Sequence, residues 1–112
     1  MIYHITTKVE WLVAKTAGIY EPESLQQNQF IHCCTEEKFA HVASFYFAGR
    51  SGLVALEIDP NRLRADVKFE GEENNIHPHI YGPIHLEAVV QAADLNANDE
   101  GVFHFPFKPV LH

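Results

Sequence analysis

Cysteine is scarce in this sequence of 112 residues, and long apolar runs are absent. The two cysteines, Cys33 and Cys34, are neighbours, and adjacent residues cannot close an unstrained disulfide. We therefore expect reduced thiols in a reducing compartment. No apolar run approaches the roughly 20 residues that a membrane helix needs, and no basic segment followed by an apolar run stands near Met1. These absences predict a cytoplasmic protein that does not enter a membrane.

Positive charge is also scarce. Eight Lys and Arg residues stand against fifteen Asp and Glu residues, which gives a formal net charge of −7. This charge repels phosphate backbones, so we expect no general nucleic-acid surface. A local pocket for a small-molecule ligand is compatible with it, and the sequence identifies no protein partner.

The apolar content is sufficient for one core. Hydrophobic residues make up 46% and aromatic residues 12% of the chain, enough for one domain without disulfide or metal support. We expect residues 1–112 to form a single domain, with residues 96–112 as a C-terminal extension or an edge strand. Phe103, Phe105 and Phe107 alternate with period two in this last segment.

Hydrophobic periodicity predicts the order β-α-loop-β-α-β-β-β. Ile2–Thr6 and Phe30–Cys34 are short apolar strands, and each precedes a helix with a threonine cap. In Ile2–Thr6, His4 lies on the face opposite to Tyr3. Residues 20–29 are predicted as a loop with one helical turn near Ser24.

The second half of the chain is predicted to contain mainly strands. Leu53–Asp59 and Asp66–Glu70 are expected to pair as a hairpin-like meander, and Gly71–Asn75 to form a mobile, acidic lid. His85–Leu95 alternates as a half-exposed antiparallel strand, and Glu57 is expected to be a surface charge. The predicted class is α+β, a mostly antiparallel sheet with two main helices.

The segment His77–Ile84, with the sequence HPHIYGPI, concentrates side chains that suit a site. Its prolines fix their own φ angles and restrict the preceding residues, so we predict a loop that is shaped before a ligand arrives. This loop would form one wall of a small pocket, with His4 and His32 on the other. The meeting of His4, His32 and His79 is the structural condition for that pocket.

His4 and His32 share a setting, since each is the polar residue of a short apolar strand that leads into a capped helix. Strand ends beside helix N-termini gather free amide donors, which suit phosphate or carboxylate groups. The alternative for either residue is a core histidine that is satisfied by a backbone carbonyl. Their matching positions favour a ligand site.

Other side chains offer further chemistry. Glu70 is the best-placed carboxylate for general-base work, with a solvated strand end as the alternative. A thiolate at Cys33 or Cys34 is a second possibility, although small buried cysteines are common core residues. His77 and His79 with His85 could ligate zinc or nickel, but Pro78 limits their convergence, and we predict no metal site.

A set of motifs along the chain resembles the bacterial family of domains of unknown function 952. The resemblance covers about residues 2–90. It is carried by Tyr3-His4-Ile5-Thr6, Trp11, Gly18 with Tyr20, Ser24-Leu25, Phe30-Ile31-His32-Cys33, Leu56-Glu57-Ile58-Asp59-Pro60, Leu63, Glu70 and Pro78-His79-Ile80-Tyr81-Gly82-Pro83-Ile84.

That family is similar in fold to the ADP-ribosyltransferase superfamily, especially the branch of RNA 2'-phosphotransferases and poly-ADP-ribose polymerases. The resemblance implies that His4-Ile5-Thr6 matches the His-x-Thr motif that binds the ribose and nicotinamide region of NAD. His32 is then a site residue on the second strand, and His79 and Tyr81 line the pocket. Cys34 stands where the family usually has serine. The catalytic glutamate of the polymerases has no motif counterpart, so Glu70 is offered for it on chemistry alone.

These observations predict two functions. The first is an NAD- or ADP-ribose-related transferase or hydrolase with a histidine-rich pocket, for which NAD is a possible substrate and the cofactor is otherwise unknown. The second is a non-catalytic module that binds a small ligand in the same pocket, and a metal-binding regulator is a weaker third. The predicted catalytic residues are His32, Glu70 and His79, and the predicted binding residues are His4, Thr6, Ser24, Tyr81 and Gly82.

Overall fold

A computed structural model describes residues 1–108 of the chain, and residues 109–112 at the end of the predicted C-terminal segment lie outside the described residues. The helices are α1 (Lys8–Ala17), α2 (Glu23–Asn28) and α3 (Glu36–Tyr46). The strands are β1 (Ile2–Thr7), β2 (Ile19–Tyr20), β3 (Ile31–His32), β4 (Leu53–Ile58), β5 (Asp66–Glu72), β6 (Asn75–Tyr81), β7 (Ile84–His85) and β8 (Val89–Leu95).

The strands form three antiparallel sheets with the orders β1-β4-β8, β2-β7 and β3-β6-β5. The predicted α+β class with mostly antiparallel strands is therefore confirmed. The two main helices correspond to α1 and α3. The helical turn predicted near Ser24 is a third helix, α2, with six residues.

The caps of α1 are those that the sequence predicts. Thr7 Oγ1 accepts a hydrogen bond from the Glu10 backbone N–H at 3.1 Å. At the other end Gly18 has φ 82°, and its N–H donates to the Ala14 carbonyl at 2.8 Å. None of the helices described for residues 1–108 is long and apolar enough to cross a membrane.

The alternation along β1 separates two apolar clusters. Ile2 belongs to one cluster, whereas Tyr3 and Ile5 belong to the other, and His4 lies on the Ile2 side beside Tyr20. All residues of β4 are buried because this central strand has partners on both edges and apolar cover on both faces.

The segment Ile31–Cys34, here called the crossover segment, passes from one sheet to another. Ile31 and His32 pair with β6, whereas Cys34 exchanges two backbone hydrogen bonds of 2.8 Å with Tyr3 of β1. Cys33 and Cys34 therefore face different clusters, as strand alternation predicts.

The predicted pairing of β4 with β5 is wrong. β4 pairs with β1 and β8, and a 3₁₀ turn at Pro60–Arg62 leads the chain away to a different sheet. β5 instead forms a hairpin with β6. The predicted lid Gly71–Asn75 is the closed end of this hairpin, where Asn74 adopts φ 66°.

The predicted loop at residues 77–84 is also wrong, because His77 to Tyr81 belong to β6. Pro78 is tolerated there for a geometric reason. Its carbonyl accepts from the Cys33 N–H at 3.0 Å, so its nitrogen also points toward β3. The missing N–H of Pro78 would point toward β3, which ends at His32. The β5–β6 ladder on the other side of the strand therefore loses no hydrogen bond.

The predicted strand His85–Leu95 is interrupted. Residues 86–88 form a 3₁₀ turn, and the β4–β8 register shifts at Glu57/Ile58, so the alternation changes phase and Val90 is 40% exposed. Residues 96–108 contain no strand. Phe103 and Phe107 in this segment are nevertheless buried in the cluster around Tyr3.

Glu57 is buried, which corrects its prediction as a surface charge. Its Oε2 accepts from the Tyr3 hydroxyl at 3.0 Å, and its Oε1 accepts from Gln91 Nε2 at 3.1 Å. Burial, followed by the bond to Glu57, raises the pKa of the Tyr3 hydroxyl, which keeps this donor protonated.

Gly71→Ala should destabilise the β5–β6 hairpin and hence the fold. A Cβ at Gly71 would lie 2.2 Å from the backbone oxygen of Asn75, and φ there is +140°. We expect a loss of about 3 kcal/mol or more, since both strain and a backbone clash are involved. Gly49→Ala is the control, because φ is +76° there and no atom lies within 4 Å. Equal losses in urea unfolding would contradict the clash.

Candidate functional site

A cleft of about 430 Å³ lies between β1, the crossover segment, α3 and β6. Five of the residues predicted for the site line it, namely His4, Thr6, Ser24, His32 and His79. The structure thus brings His4, His32 and His79 to one cavity. The cleft is also lined by residues that the sequence analysis did not assign to a site, among them Glu10, Tyr20 and Arg50.

His4 forms the floor of the cleft and is buried. Its Nδ1 lies 2.6 Å from the His32 carbonyl oxygen, and its Nε2 lies 2.8 Å from the Tyr20 hydroxyl. A carbonyl only accepts, so Nδ1 carries a hydrogen. Burial lowers the pKa of His4 to about 4, so the ring is neutral at pH 7. Both ring nitrogens are engaged within the protein, and His4 therefore positions its neighbours.

Tyr20 extends this arrangement and was missed as a site residue. Its hydroxyl lies 2.9 Å from Thr6 Oγ1 and 3.4 Å from Glu10 Oε2, and Thr6 donates to Glu10 Oε2 at 2.9 Å. Burial raises the pKa of the Tyr20 hydroxyl. β2 has only two residues and therefore shows no periodicity that could mark Tyr20. The sequence feature that could have identified Tyr20 is its place with Gly18 in the family motif.

A second polar group is centred on His79, at the wall that β6 provides. His79 Nδ1–H donates to Glu70 Oε1 at 3.0 Å, and the Tyr81 hydroxyl donates to the same oxygen. These bonds, with that of Tyr81 first, lower the pKa of the Glu70 carboxyl. The hairpin register explains the contact, because Glu70 is opposite His77 and diagonal to His79. His79 Nε2 remains for a ligand.

Aromatic side chains surround His79. The Phe30 ring stacks on it with centroids 4.1 Å apart and an angle of 14°, and His32 meets it edge-on at 5.1 Å. His32 is exposed, and its pKa is lowered by partial desolvation and then by His79 and His77. Phe30 is predicted as the first residue of a strand and belongs to the family motif, but in the structure it precedes β3.

Among the described residues 1–108, Arg50 is the only Lys or Arg that lines the cleft. Its guanidinium lies 5.0 Å from the ring centre of Phe47, a cation–π contact. Within residues 1–108, no carboxylate lies within 4 Å of it. No sequence motif marks Arg50, which follows α3 at a turn that contains Gly49.

Three predicted residues lie outside the cleft lining. Glu70 and Tyr81 reach it only through His79. Gly82 has a packing role, since a Cβ there would lie 2.8 Å from the Ala65 Cβ.

The cysteines line the cleft as buried, free thiols. Burial raises the pKa of Cys34 to about 12 and that of Cys33 well above its usual value. Both remain protonated at pH 7, which disfavours the thiolate nucleophile. Among residues 1–108, no group of three His, Cys, Asp or Glu side chains is placed to hold a metal ion.

Comparisons with other proteins identify a family and two solved structures that this chain resembles. The model of the family described as "Protein of unknown function (DUF952)" matches residues 5–92. The X-ray structure of protein CC0527 from Caulobacter crescentus is 31% identical, with a TM-score of 0.82 and 92% of each chain covered. Its solution NMR structure is 32% identical, with a TM-score of 0.78, and covers 90% of this chain and 89% of that chain. No curated protein matches the sequence.

The buried, neutral His4 should make stability depend on pH. Its pKa is lower in the folded state than the ordinary 6.5, so the unfolded chain binds the proton first as pH falls. Its contribution is full above pH 6.5, and about 3 kcal/mol is lost between pH 6.5 and 4.

Urea unfolding at several pH values measures this effect. His4→Asn keeps an amide donor for the His32 carbonyl but does not titrate, so the free energy of unfolding should fall less steeply with acid. The slopes are compared, because the substitution also lowers stability at every pH. Identical slopes would exclude His4 as the group responsible.

Proposed function

The chain belongs to the DUF952 family of proteins of unknown function, and from this premise we propose that it is an enzyme that acts on NAD or an ADP-ribose derivative in the cleft. The proposal is carried by His79, which lines the cleft and is hydrogen-bonded to Glu70 outside the lining. The substrate class is proposed from the resemblance of His4-Ile5-Thr6 to the His-x-Thr motif of ADP-ribosyltransferases.

His79 is suited to the role of general base. Its Nδ1–H is held by Glu70, which fixes the tautomer and leaves the Nε2 lone pair for a proton. Glu70 then stabilises the imidazolium that forms, and the Tyr81 hydroxyl holds the carboxylate in place. The same arrangement serves hydrolysis and transfer, which differ only in the nucleophile.

The proposed reaction is the displacement of nicotinamide from the ribose of NAD. The Nε2 lone pair of His79 takes a proton from water or an acceptor hydroxyl, and the oxygen bonds to the anomeric carbon. The bond between that carbon and the nicotinamide nitrogen breaks, and its electron pair neutralises the pyridinium ring. His32 lines the cleft beside His79 and would flank the nicotinamide, whereas the Phe30 ring stacks on His79 and holds the imidazole in place.

Arg50 would provide the charge that the phosphates need. It lines the same cleft without an ion pair among residues 1–108, whereas the chain as a whole is acidic. A guanidinium can donate two parallel hydrogen bonds to a phosphate. An acidic protein with one such cation in its cleft would bind a small anionic ligand and repel polynucleotides.

A non-catalytic binding module is the second candidate. It is favoured by the floor of the cleft, where His4, Thr6 and Tyr20 already satisfy one another and offer few free polar groups. A surface with few free polar groups would recognise a ligand mainly by its shape. The two functions differ in turnover, since a binding module would hold ADP-ribose or NAD without releasing nicotinamide.

Cellular location and domain limits belong to the same proposal. We place the protein in the cytoplasm, where Cys33 and Cys34 would remain reduced. We treat residues 1–112 as one domain with a C-terminal extension at 96–112, because Phe103 and Phe107 pack into the core.

An amide-resolved NMR titration with NAD, ADP-ribose and nicotinamide is the direct test of binding. We expect shifts around His4, His32 and His79, followed by release of nicotinamide from NAD. Shifts without turnover would favour the binding module. No shift with any of the three ligands would refute both NAD-based functions.

Glu70→Gln should lower the rate of nicotinamide release about 100-fold, because a neutral glutamine amide cannot replace the carboxylate charge that stabilises the His79 imidazolium. The affinity for ADP-ribose should stay near that of the wild type. Glu72→Gln, on the exposed end of the same strand, is the matched control. A Glu70→Gln protein with the wild-type rate would remove His79 and Glu70 from the mechanism.

Arg50→Ala should weaken binding of ADP-ribose by about tenfold or more, because a charged hydrogen-bond donor to phosphate is lost. Nicotinamide binding should not change, since that ligand has no phosphate. Arg62→Ala, at an exposed 3₁₀ turn, serves as the control in calorimetry. Equal loss for both ligands would indicate damage to the cleft and contradict a phosphate contact.

A further inference from the structure

The buried hydrogen-bonded groups below the cleft also reach a second cavity. This second cavity, the α1 groove, has a volume of about 370 Å³ and is lined by residues of α1 and the chain up to Glu23. Glu10 and Tyr20 line both the cleft and the α1 groove. His4, Tyr20, Thr6 and Glu10, here called the His4 chain, therefore connect the two cavities.

The His4 chain is one proton short when His4 is neutral and Glu10 is ionised. Three contacts follow one another: 2.8 Å from His4 Nε2 to Tyr20, 2.9 Å from Tyr20 to Thr6, and 2.9 Å from Thr6 to Glu10. The hydrogen on His4 Nδ1 is used by the His32 carbonyl. Two hydroxyl hydrogens must then serve three contacts, and one further proton would complete them.

We propose that His4 and Glu10 share one titratable proton through Tyr20 and Thr6, and that Glu10 is the positioning residue that sets the charge below the cleft. With this proton bound, His4 Nε2 donates to Tyr20, Tyr20 to Thr6, and Thr6 to Glu10. The imidazolium of His4 and the carboxylate of Glu10 then cancel, so the His4 chain is neutral. Without the proton, Tyr20 donates to His4 and the chain carries the negative charge of Glu10.

The groups around His4 are compatible with this sharing. Its titratable neighbours are Glu10 on α1, Tyr20 on β2, and His32 and Cys33 in the crossover segment, whereas β4 presents Leu56 opposite His4. Glu10 is the carboxylate among them. It is exposed, so the proton can exchange with solvent in the α1 groove while a ligand fills the cleft.

Sharing of the proton has a consequence for ligand binding, which rests on the proposed function. The negative charge of the unprotonated His4 chain repels an anionic ligand such as ADP-ribose, so binding should draw a proton onto the chain. The affinity for ADP-ribose should then rise as pH falls, through the proton that Glu10 helps to hold.

The first experiment uses the free protein. The ¹⁵N shifts of the His4 ring are followed against pH in the wild type, Glu10→Gln and Glu21→Gln. Glutamine at position 10 keeps an acceptor for Thr6 but removes the charge. We expect the proton affinity of His4 to fall about tenfold or more in Glu10→Gln and to stay unchanged in Glu21→Gln. The same midpoint in all three proteins would overturn the proposal.

Thr6→Val separates sharing through hydroxyl groups from a simple effect of charge. It removes the middle hydroxyl and retains Glu10, so the shared proton predicts a lower proton affinity at His4 here as well. A wild-type midpoint in Thr6→Val would overturn sharing through Thr6, since Glu10 would then act through space or through its 3.4 Å contact with the Tyr20 hydroxyl.

The second experiment is calorimetry with ADP-ribose in two buffers of different ionisation enthalpy. Uptake of a substantial fraction of a proton by the wild type, and less by Glu10→Gln, supports the link to the cleft. Binding without uptake overturns that link. If ADP-ribose does not bind while the His4 titration responds to Glu10 as expected, the proposed function fails and the shared proton stands.

Discussion

The contact between His4 Nδ1 and the His32 carbonyl is the constraint on which the site depends. His32 is opposite His79 in the register of β3 and β6. The neighbouring Cys33 N–H donates to the Pro78 carbonyl of β6, and backbone groups alternate in direction along a strand, so those of His32 point away from β6. The carbonyl is therefore free to meet β1. Two sheets approach each other at this point, and the cleft occupies the space that their separation leaves.

Several further properties follow from this approach of the sheets. The bridge between Tyr3 and Cys34 fixes the crossover segment against β1, so His4 is enclosed and loses its solvation. A buried imidazole with both nitrogens bonded is neutral and oriented, and it holds Tyr20 in turn. The floor of the cleft is consequently built from internal hydrogen bonds, and the free donors and acceptors lie on its walls.

The sequence predicted local features better than long-range ones. Thr7 and Gly18 mark the ends of α1 through capping chemistry, and the motifs around His4 and His79 identified the family. Pairing of β4 depends on its partners β1 and β8, which are distant in sequence, and no local pattern contains that information. Pro78 was read as a loop residue because its compatibility with β6 depends on where β3 ends.

The same difference between local and long-range features applies to the site. The sequence singled out His4, His32 and His79 because histidine is conspicuous in an apolar strand, and their meeting required the crossover. Arg50 and Glu10 were missed because a charged residue on a helix or after a turn is ordinarily solvated. Only the packing of α1 and α3 against β1 makes these two part of the cleft.

Two different sheets hold the polar side chains of the cleft. His79, Glu70 and Tyr81 are fixed by the β5–β6 hairpin, whereas His4 and Thr6 are fixed by the sheet around β4. The Glu70 carboxylate fixes the tautomer of His79 and leaves its Nε2 as a proton acceptor beside the aromatic ring of Phe30. This oriented imidazole is the feature from which we propose an enzyme over a binding module, because recognition by shape alone does not require a fixed tautomer.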